Sequence, residues 1–339
     1  MDPDHKIAHL WKNRMNRYAK EAYPIRKTTL AMELAQQMEK PKAKLPQPYA
    51  NFRDVFEKKT INQLLPSRTF DHTIELNEGF SPKVAKVYLL NPKEHEACRI
   101  FVDKYLKSGK IIPSKSPQAS PFFFVPKKDG SVRPCQDYWY LNFHTIKNTY
   151  PLPLISNLID KLKVSSIFTK MDIQWGYNNI LIKSEDRWKA AFITPLKLFK
   201  PIVMFFGLCN SPATFQALMN HIFDDLIAEG WLIVYMDDIL IHSNNQELHT
   251  EWTRKVLKCL QKHKLFLKLE KCFFDKAEVE YLGMIVKEGH VGMDPVKLAA
   301  IQEWKPPVLW REYDRSLGSV TSIRSSSLIS LQLPNPSMI

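Results

Sequence analysis

Two aspartates, Asp237 and Asp238, stand side by side in the apolar run "WLIVYMDDILIHS" at positions 231–243. Adjacent carboxylates repel each other, and burying them unpaired is costly. A divalent cation relieves the repulsion and makes the pair chemically useful. A third carboxylate, Asp172 in "TKMDIQWGY", closes another apolar run about 65 residues upstream. If the two runs are neighbouring strands, three carboxylates meet at one sheet end. Such a cluster can hold two hard cations about 3.5–4 Å apart. One cation lowers the pKa of an attacking hydroxyl, and the other neutralises charge on leaving phosphate oxygens. The plainer account of an Asp-Asp pair is a polar β-turn. Context argues against it, because a chance Tyr-Met-Asp-Asp in a chain this long has odds on the order of 10⁻³.

The elements that must position these acids are readable around them. "PKEHEACRIFVDKYLKSG" has apolar residues at helical spacing and a glycine stop, which predicts a helix over 93–108. "SPFFFVPKKDGSVRPCQDYWYLN" reads as two strands joined by a Lys-Lys-Asp-Gly turn. "LPLISNLIDKLKVS" reads as a short helix, and "SIFTKMDIQWGYNNILI" as a strand whose last residues leave the sheet. "SPATFQALMNHIFDDLIAEG" is an amphipathic helix ending at Gly230, with Ser211 as expected N-cap and Pro212 at its first position. "WLIVYMDDILIHS" is a hairpin with the acidic pair at its bend. "QELHTEWTRKVLKCLQKHK" is a further helix and "VEYLGMIVKEGHVGM" a further hairpin. This order implies an α+β fold, an antiparallel sheet with helices packed on one face.

The chain has 339 residues and a net charge of +13, an excess that suits a polyanionic partner. No run approaches 18 uninterrupted apolar residues, so no membrane span is expected. The charged start "MDPDHKIAHLWKNRMNRYAK" lacks the apolar stretch of a secretory signal. Five cysteines, odd in number and without CxxC spacing, imply free thiols in a reducing compartment and no zinc site.

The motif set resembles the reverse transcriptases of Ty3/gypsy-type long-terminal-repeat retrotransposons, in a fungal-like branch. "YMDD" after "WLIV", "FGLCNSPATFQALMN", "RPCQDYWYLNFHTIKNTYPLPLI", "IFTKMDIQWGYNNILI", "WKAAF", "LEKCFF" and "VEYLGMIV" follow in that family's order over about 50–307. The resemblance implies a right-hand polymerase fold of fingers, palm and partial thumb, and an RNA-directed DNA polymerase that adds dNTPs to a primer 3′-hydroxyl. It makes Asp172, Asp237 and Asp238 the catalytic metal ligands for two Mg²⁺ ions, with Mn²⁺ as the alternative. Tyr177 then matches the steric gate against a 2′-hydroxyl. Arg133, with Lys127 or Lys128, matches the fingers residues that grip the triphosphate, for which multi-donor cations are suited. Phe206 and Gly207 correspond to the nucleotide-pocket floor, and Leu282 and Gly283 to the primer grip. Departures are Trp175 where a small residue is common, Trp139 where an arginine is usual, and "LKLFKPIVMFFG", which lacks an upstream glycine.

By the same resemblance the expected organisation is a basic arm over 1–45, an extension over 46–92, fingers and palm over 93–290, and the start of a thumb over 291–307. After Pro307 the Ser-rich tail 308–339 loses all periodicity, and is expected to be disordered. Codons compatible with it, read one base out of frame, spell the family's usual continuation, so a frameshift near 307–309 is expected. No RNase H, integrase or upstream protease motif is present in the sequence, as in a truncated polyprotein copy. Expected partners are an RNA template, a DNA primer duplex and dNTPs, with no membrane. The family's life cycle implies cytoplasmic virus-like particles and then nuclear delivery. The rival reading is an inactive remnant that at most binds nucleic acid.

Overall fold

The computed structural model describes residues 45–57, 67–126, 132–153, 158 and 162–293. The expected N-terminal arm, the Lys127–Lys128 turn, most of the "LPLISNLIDKLKVS" helix, nearly all of the thumb start and the tail lie outside the described residues. Helix α1 (Pro92–Lys107) opens on a reciprocal cap, where Asn91 Oδ1 accepts the Glu94 N–H at 2.9 Å and Glu94 Oε2 accepts the Asn91 N–H at 2.8 Å. Gly109, at φ +68, turns the chain out of it. Strands β1 (Ile111–Pro113), β2 (Ser120–Pro126) and β3 (Val132–Gln136) follow, then a short helix α2 (Trp139–His144). The chain continues through β4 (Ile167–Asp172), β5 (Phe192–Ile193), β6 (Leu198–Pro201), α3 (Ser211–Ala228), β7 (Leu232–Tyr235), β8 (Asp238–Ser243) and α4 (Gln246–Lys262). Strands β9 (Phe273–Lys276), β10 (Glu278–Tyr281), β11 (Met284–Lys287) and β12 (His290–Met293) complete it.

These strands form three sheets, β1-β6-β5-β2-β3, β7-β8-β4-β9 and β10-β11-β12, the second being the expected antiparallel sheet backed by helices. Every pairing is antiparallel except β2 with β5, which is parallel. Three local expectations are corrected. "YWYLN" is helical and not strand, since the Asp137 carboxylate accepts the Trp139 N–H at 3.1 Å and starts a helical turn. The last "hairpin" is a three-stranded meander. Leu282 and Gly283, at φ +50 and +80, make its first tight turn, and Gly289, at φ +66, the second. Helix α3 is preceded by Asn210 as its N-cap, while Ser211 is already its first helical residue.

The four-stranded sheet is covered on both faces, which explains its continuous apolar runs. Ile239 and Ile241 of β8 join Phe215, Leu218 and Met219 of α3 and Val256, Leu257 and Leu260 of α4 in the main core. Leu240, on the opposite face, packs with Phe168, Val279, Tyr281 and Val286 under the meander. Burial of these faces is the main force holding the sheet in register. The segment before α1 is tied into the same body. Tyr49 donates to the Asp275 carboxylate at 2.9 Å, and His72 pairs as an isolated bridge with Ile182.

His72 is buried, with Nδ1 2.9 Å from Thr214 Oγ1 on α3. Burial pushes its imidazole down from 6.5 to about 4, partly offset by Asp186. The unfolded chain therefore takes up this proton first on acidification. The stability involved is complete above pH 6.5 and is lost as the pH falls towards 4. Wild type should lose about 2 kcal/mol through this group between pH 7.5 and 5. His72→Gln should lose correspondingly less in urea titrations at the two pH values. Equal losses in both proteins would contradict the assignment.

Candidate active site

Strand β4 pairs with β8 from Ile167↔Ser243 to Asp172↔Asp238, and β7 pairs with β8 as far as Tyr235↔Asp238. Asp172 and Asp238 are thus directly opposed at the last rung, where Cβ atoms of facing residues lie about 4.5–5.5 Å apart. Asp237 and Met236 form the two-residue turn between β7 and β8. All three acids reach one end of one sheet, as the sequence predicts.

Their charges are only partly balanced. Asp172 Oδ2 accepts from Lys271 Nζ at 2.8 Å, and Lys170 Nζ lies 3.4 Å from Asp238 Oδ1 while donating to the Glu280 carbonyl at 3.0 Å. Asp237 Oδ1 is buried with no hydrogen-bond partner. Burial, then the Asp172 and Asp238 charges, push the Asp237 carboxyl up to about 6, against a smaller opposing pull from Lys271. Among the described residues no three His, Cys, Asp or Glu side chains yet close into a metal cage. The donor set nevertheless fits a hard divalent cation: it is all carboxylate oxygen, and one buried oxygen has no partner.

The turn that carries Asp237 is clamped from behind. Met236 has φ +52, a left-handed conformation that normally favours glycine. Its N–H donates to Gln216 Oε1 at 2.8 Å, while Gln216 Nε2 donates to the Val234 carbonyl at 3.1 Å. Gln216 is fully buried on α3 and so fixes both sides of the bend. In front lies Gly176, where a Cβ would overlap Asp237 Oδ1 and sit 3.0 Å from Phe215 Cζ. Only glycine lets the carboxylate settle there. Gln216, Gly176 and the two lysines are the site residues that motif reading missed. Their roles come from contacts across 18 to 110 positions, although all four stand inside quoted motifs.

Tyr177 follows in a 3₁₀ turn over Gly176–Asn179, with its ring 4.8 Å from that of Phe206 and its hydroxyl 3.7 Å from Met236 Sδ. Phe206 is 52 % exposed, so the pair presents an aromatic wall beside the acids. Gly207 has φ +99, and its carbonyl accepts from Asn142 Nδ2 at 2.6 Å, tying α2 to this wall. Asp172, Asp237, Asp238, Tyr177, Phe206 and Gly207 therefore form one neighbourhood. Arg133 stands apart from the acids, exposed on β3 opposite Val125. Lys127 and Lys128 lie outside the described residues. Leu282 and Gly283 occupy the β10–β11 turn, next to Tyr281, which senses the Asp238 charge. Trp139 faces solvent and stacks on Phe143 at 5.9 Å.

A four-stranded antiparallel sheet with three acids at one end, helices on one face and a separate five-stranded sheet make up the right-hand fold seen in polymerase structures. Residues 125–286, just under half of the chain, match the reverse transcriptase (RNA-dependent DNA polymerase) family. Two Schizosaccharomyces pombe proteins, the Transposon Tf2-3 and Tf2-7 polyproteins, are each 33% identical over 293 residues. The match takes in 86% of this chain and 22% of theirs, so the chain spans about a fifth of these relatives. The fold resembles the foamy viral protease-reverse transcriptase in complex with RNA/DNA hybrid, at TM-score 0.69 and 21% identity over 89% of this chain and 40% of that one. A second structure of that viral protein, in complex with double-stranded DNA, gives TM-score 0.72 at 21% identity over 89% and 53%. Among the described residues no helix is long and apolar enough to cross a membrane.

Gln216→Leu should strip partners from the Met236 N–H and the Val234 carbonyl, costing about 2–3 kcal/mol in urea unfolding. A loss under about 0.5 kcal/mol would show that the turn holds itself.

Proposed function

We propose that this chain carries out RNA-directed DNA synthesis, adding dNTPs to a primer 3′-hydroxyl at the β4/β8 sheet end. The observation that carries the reading is the Asp172↔Asp238 rung with the unpartnered Asp237 oxygen beside it. Asp172, Asp237 and Asp238 would hold two Mg²⁺ ions, or Mn²⁺. When bound, these supply Lewis-acid activation of the hydroxyl and neutralise charge on the departing diphosphate.

The chain's own groups do the rest. Asp237, pushed up to about 6 by burial and then by the Asp172 and Asp238 charges, gains its negative charge as the pH rises through that value. Lys271 and Lys170 balance Asp172 and Asp238. The Tyr177 ring, fixed by Phe206 and Phe215, would lie under the deoxyribose and exclude a 2′-hydroxyl. Arg133 would reach the triphosphate from the fingers hairpin together with Lys127 or Lys128. The Leu282–Gly283 turn would hold the primer end through its backbone. The positive excess of the chain would serve the phosphates of an RNA template and its DNA primer, with an affinity that falls with salt.

Primer extension on an RNA template with Mg²⁺ tests this. Wild type should incorporate dNTPs, and Asp237→Asn should lower the rate at least about 100-fold. Tyr177→Ala should raise ribonucleotide incorporation relative to deoxyribonucleotide by about tenfold. Binding of the duplex without incorporation, unchanged by Asp237→Asn, would contradict the proposal and leave a nucleic-acid-binding remnant.

A further inference from the structure

Beside the acids, on the side of α1, lies a cationic cluster that the catalytic reading does not use. Trp175, three residues after Asp172 and next to Gly176, is held at φ +58. Its indole stacks on the Tyr105 ring, with centroids 6.2 Å apart and planes 2° from parallel. Lys104 Nζ sits 4.3 Å from the indole centroid and Lys110 Nζ 4.5 Å. Lys110 is 3 % exposed. Among the described residues no carboxylate lies within 4 Å of either ammonium, whereas Lys170 and Lys271 each have one.

Two like charges converging on one ring need a reason. The indole face attracts each of them, and the end of α1 favours Lys104. Neither effect removes the repulsion between them or the cost of burying Lys110. That cost is visible in Lys110 itself, whose ammonium is pushed down to about 8 by burial and then by Lys104. An anion bearing more than one negative charge would satisfy both lysines at once. Trp175 leads directly into Gly176, which abuts the Asp237 carboxylate, so the cluster and the acids share one short segment of chain.

We propose that Lys104 and Lys110, aligned by Trp175, form a binding site for a diphosphate group. It is either the terminal part of an incoming nucleoside triphosphate or the diphosphate released from it. The assignment rests on the polymerase reading for its source of ligand, but the site itself is tested without turnover. Inorganic pyrophosphate titrated into the full chain by calorimetry should bind, and Lys104→Met with Lys110→Met should weaken it by about tenfold per lysine. Lys104→Met alone changes an exposed side chain, so its effect is read on a folded protein. Lys110→Arg should retain most of the affinity.

Steady-state primer extension then separates the sources. A raised KM for dNTP with kcat within about twofold identifies the incoming triphosphate. A raised inhibition constant for pyrophosphate at unchanged KM identifies the leaving group. If wild type binds pyrophosphate through these lysines yet extends no primer, the anion site stands and the polymerase reading fails. Pyrophosphate affinity unchanged in both the single and the double variant overturns the proposal.

Discussion

The structure depends on keeping three carboxylates together at the end of one antiparallel rung. Asp172 and Asp238 face each other on β4 and β8, and Asp237 follows from the adjoining turn. Left alone, such a cluster would push itself apart or take up a proton, and Asp237 is pushed upward by burial first and then by the Asp172 and Asp238 charges. Two opposing groups hold it in place. Lys271 and Lys170 supply positive charge from the rim, and the buried apolar faces of the sheet prevent the register from slipping. A slip of one residue would send every β8 side chain to the wrong face.

Local backbone conformation then aims the acids. Met236 and Trp175 both take left-handed conformations without being glycine, the first just before Asp237 and the second just before Gly176, which abuts the Asp237 carboxylate. Such positions persist only when the surroundings over-determine them. Gln216 does so for Met236 through two hydrogen bonds, and the Tyr105 stack with Lys104 and Lys110 does so for Trp175. Gly176 leaves the space the carboxylate fills. The same short segment, Trp175–Tyr177, thus joins the acid cluster, the aromatic wall and the cationic cluster.

The parts legible in the sequence are those whose signal is local. The β7–β8 hairpin shows as an apolar run broken by two acids, α1 by its helical spacing and glycine stop, and α3 and α4 by their amphipathic faces. The convergence of Asp172 with Asp238 followed from strand ends and motif order. What local signal lacked was pairing across long separations. The parallel β2–β5 contact, the division into three sheets and the meander over β10–β12 depend on which strand meets which. Tight turns at Leu282 and Gly289 split what read as one hairpin. Gln216 looked like any residue of an amphipathic helix, because its role lies in two main-chain atoms 18 and 20 positions away. Trp175 stood out only as a departure, and its partners on α1 and before β1 were invisible to spacing.

The central claim is that Asp172, Asp237 and Asp238 act as one ligand set. Its most direct test is Mn²⁺ titration of the full chain with primer–template and a non-hydrolysable dNTP, read by electron paramagnetic resonance. The account predicts a spin-coupled pair of ions about 3.5–4 Å apart, lost in Asp172→Asn. Isolated uncoupled ions, or binding indifferent to that substitution, would contradict it.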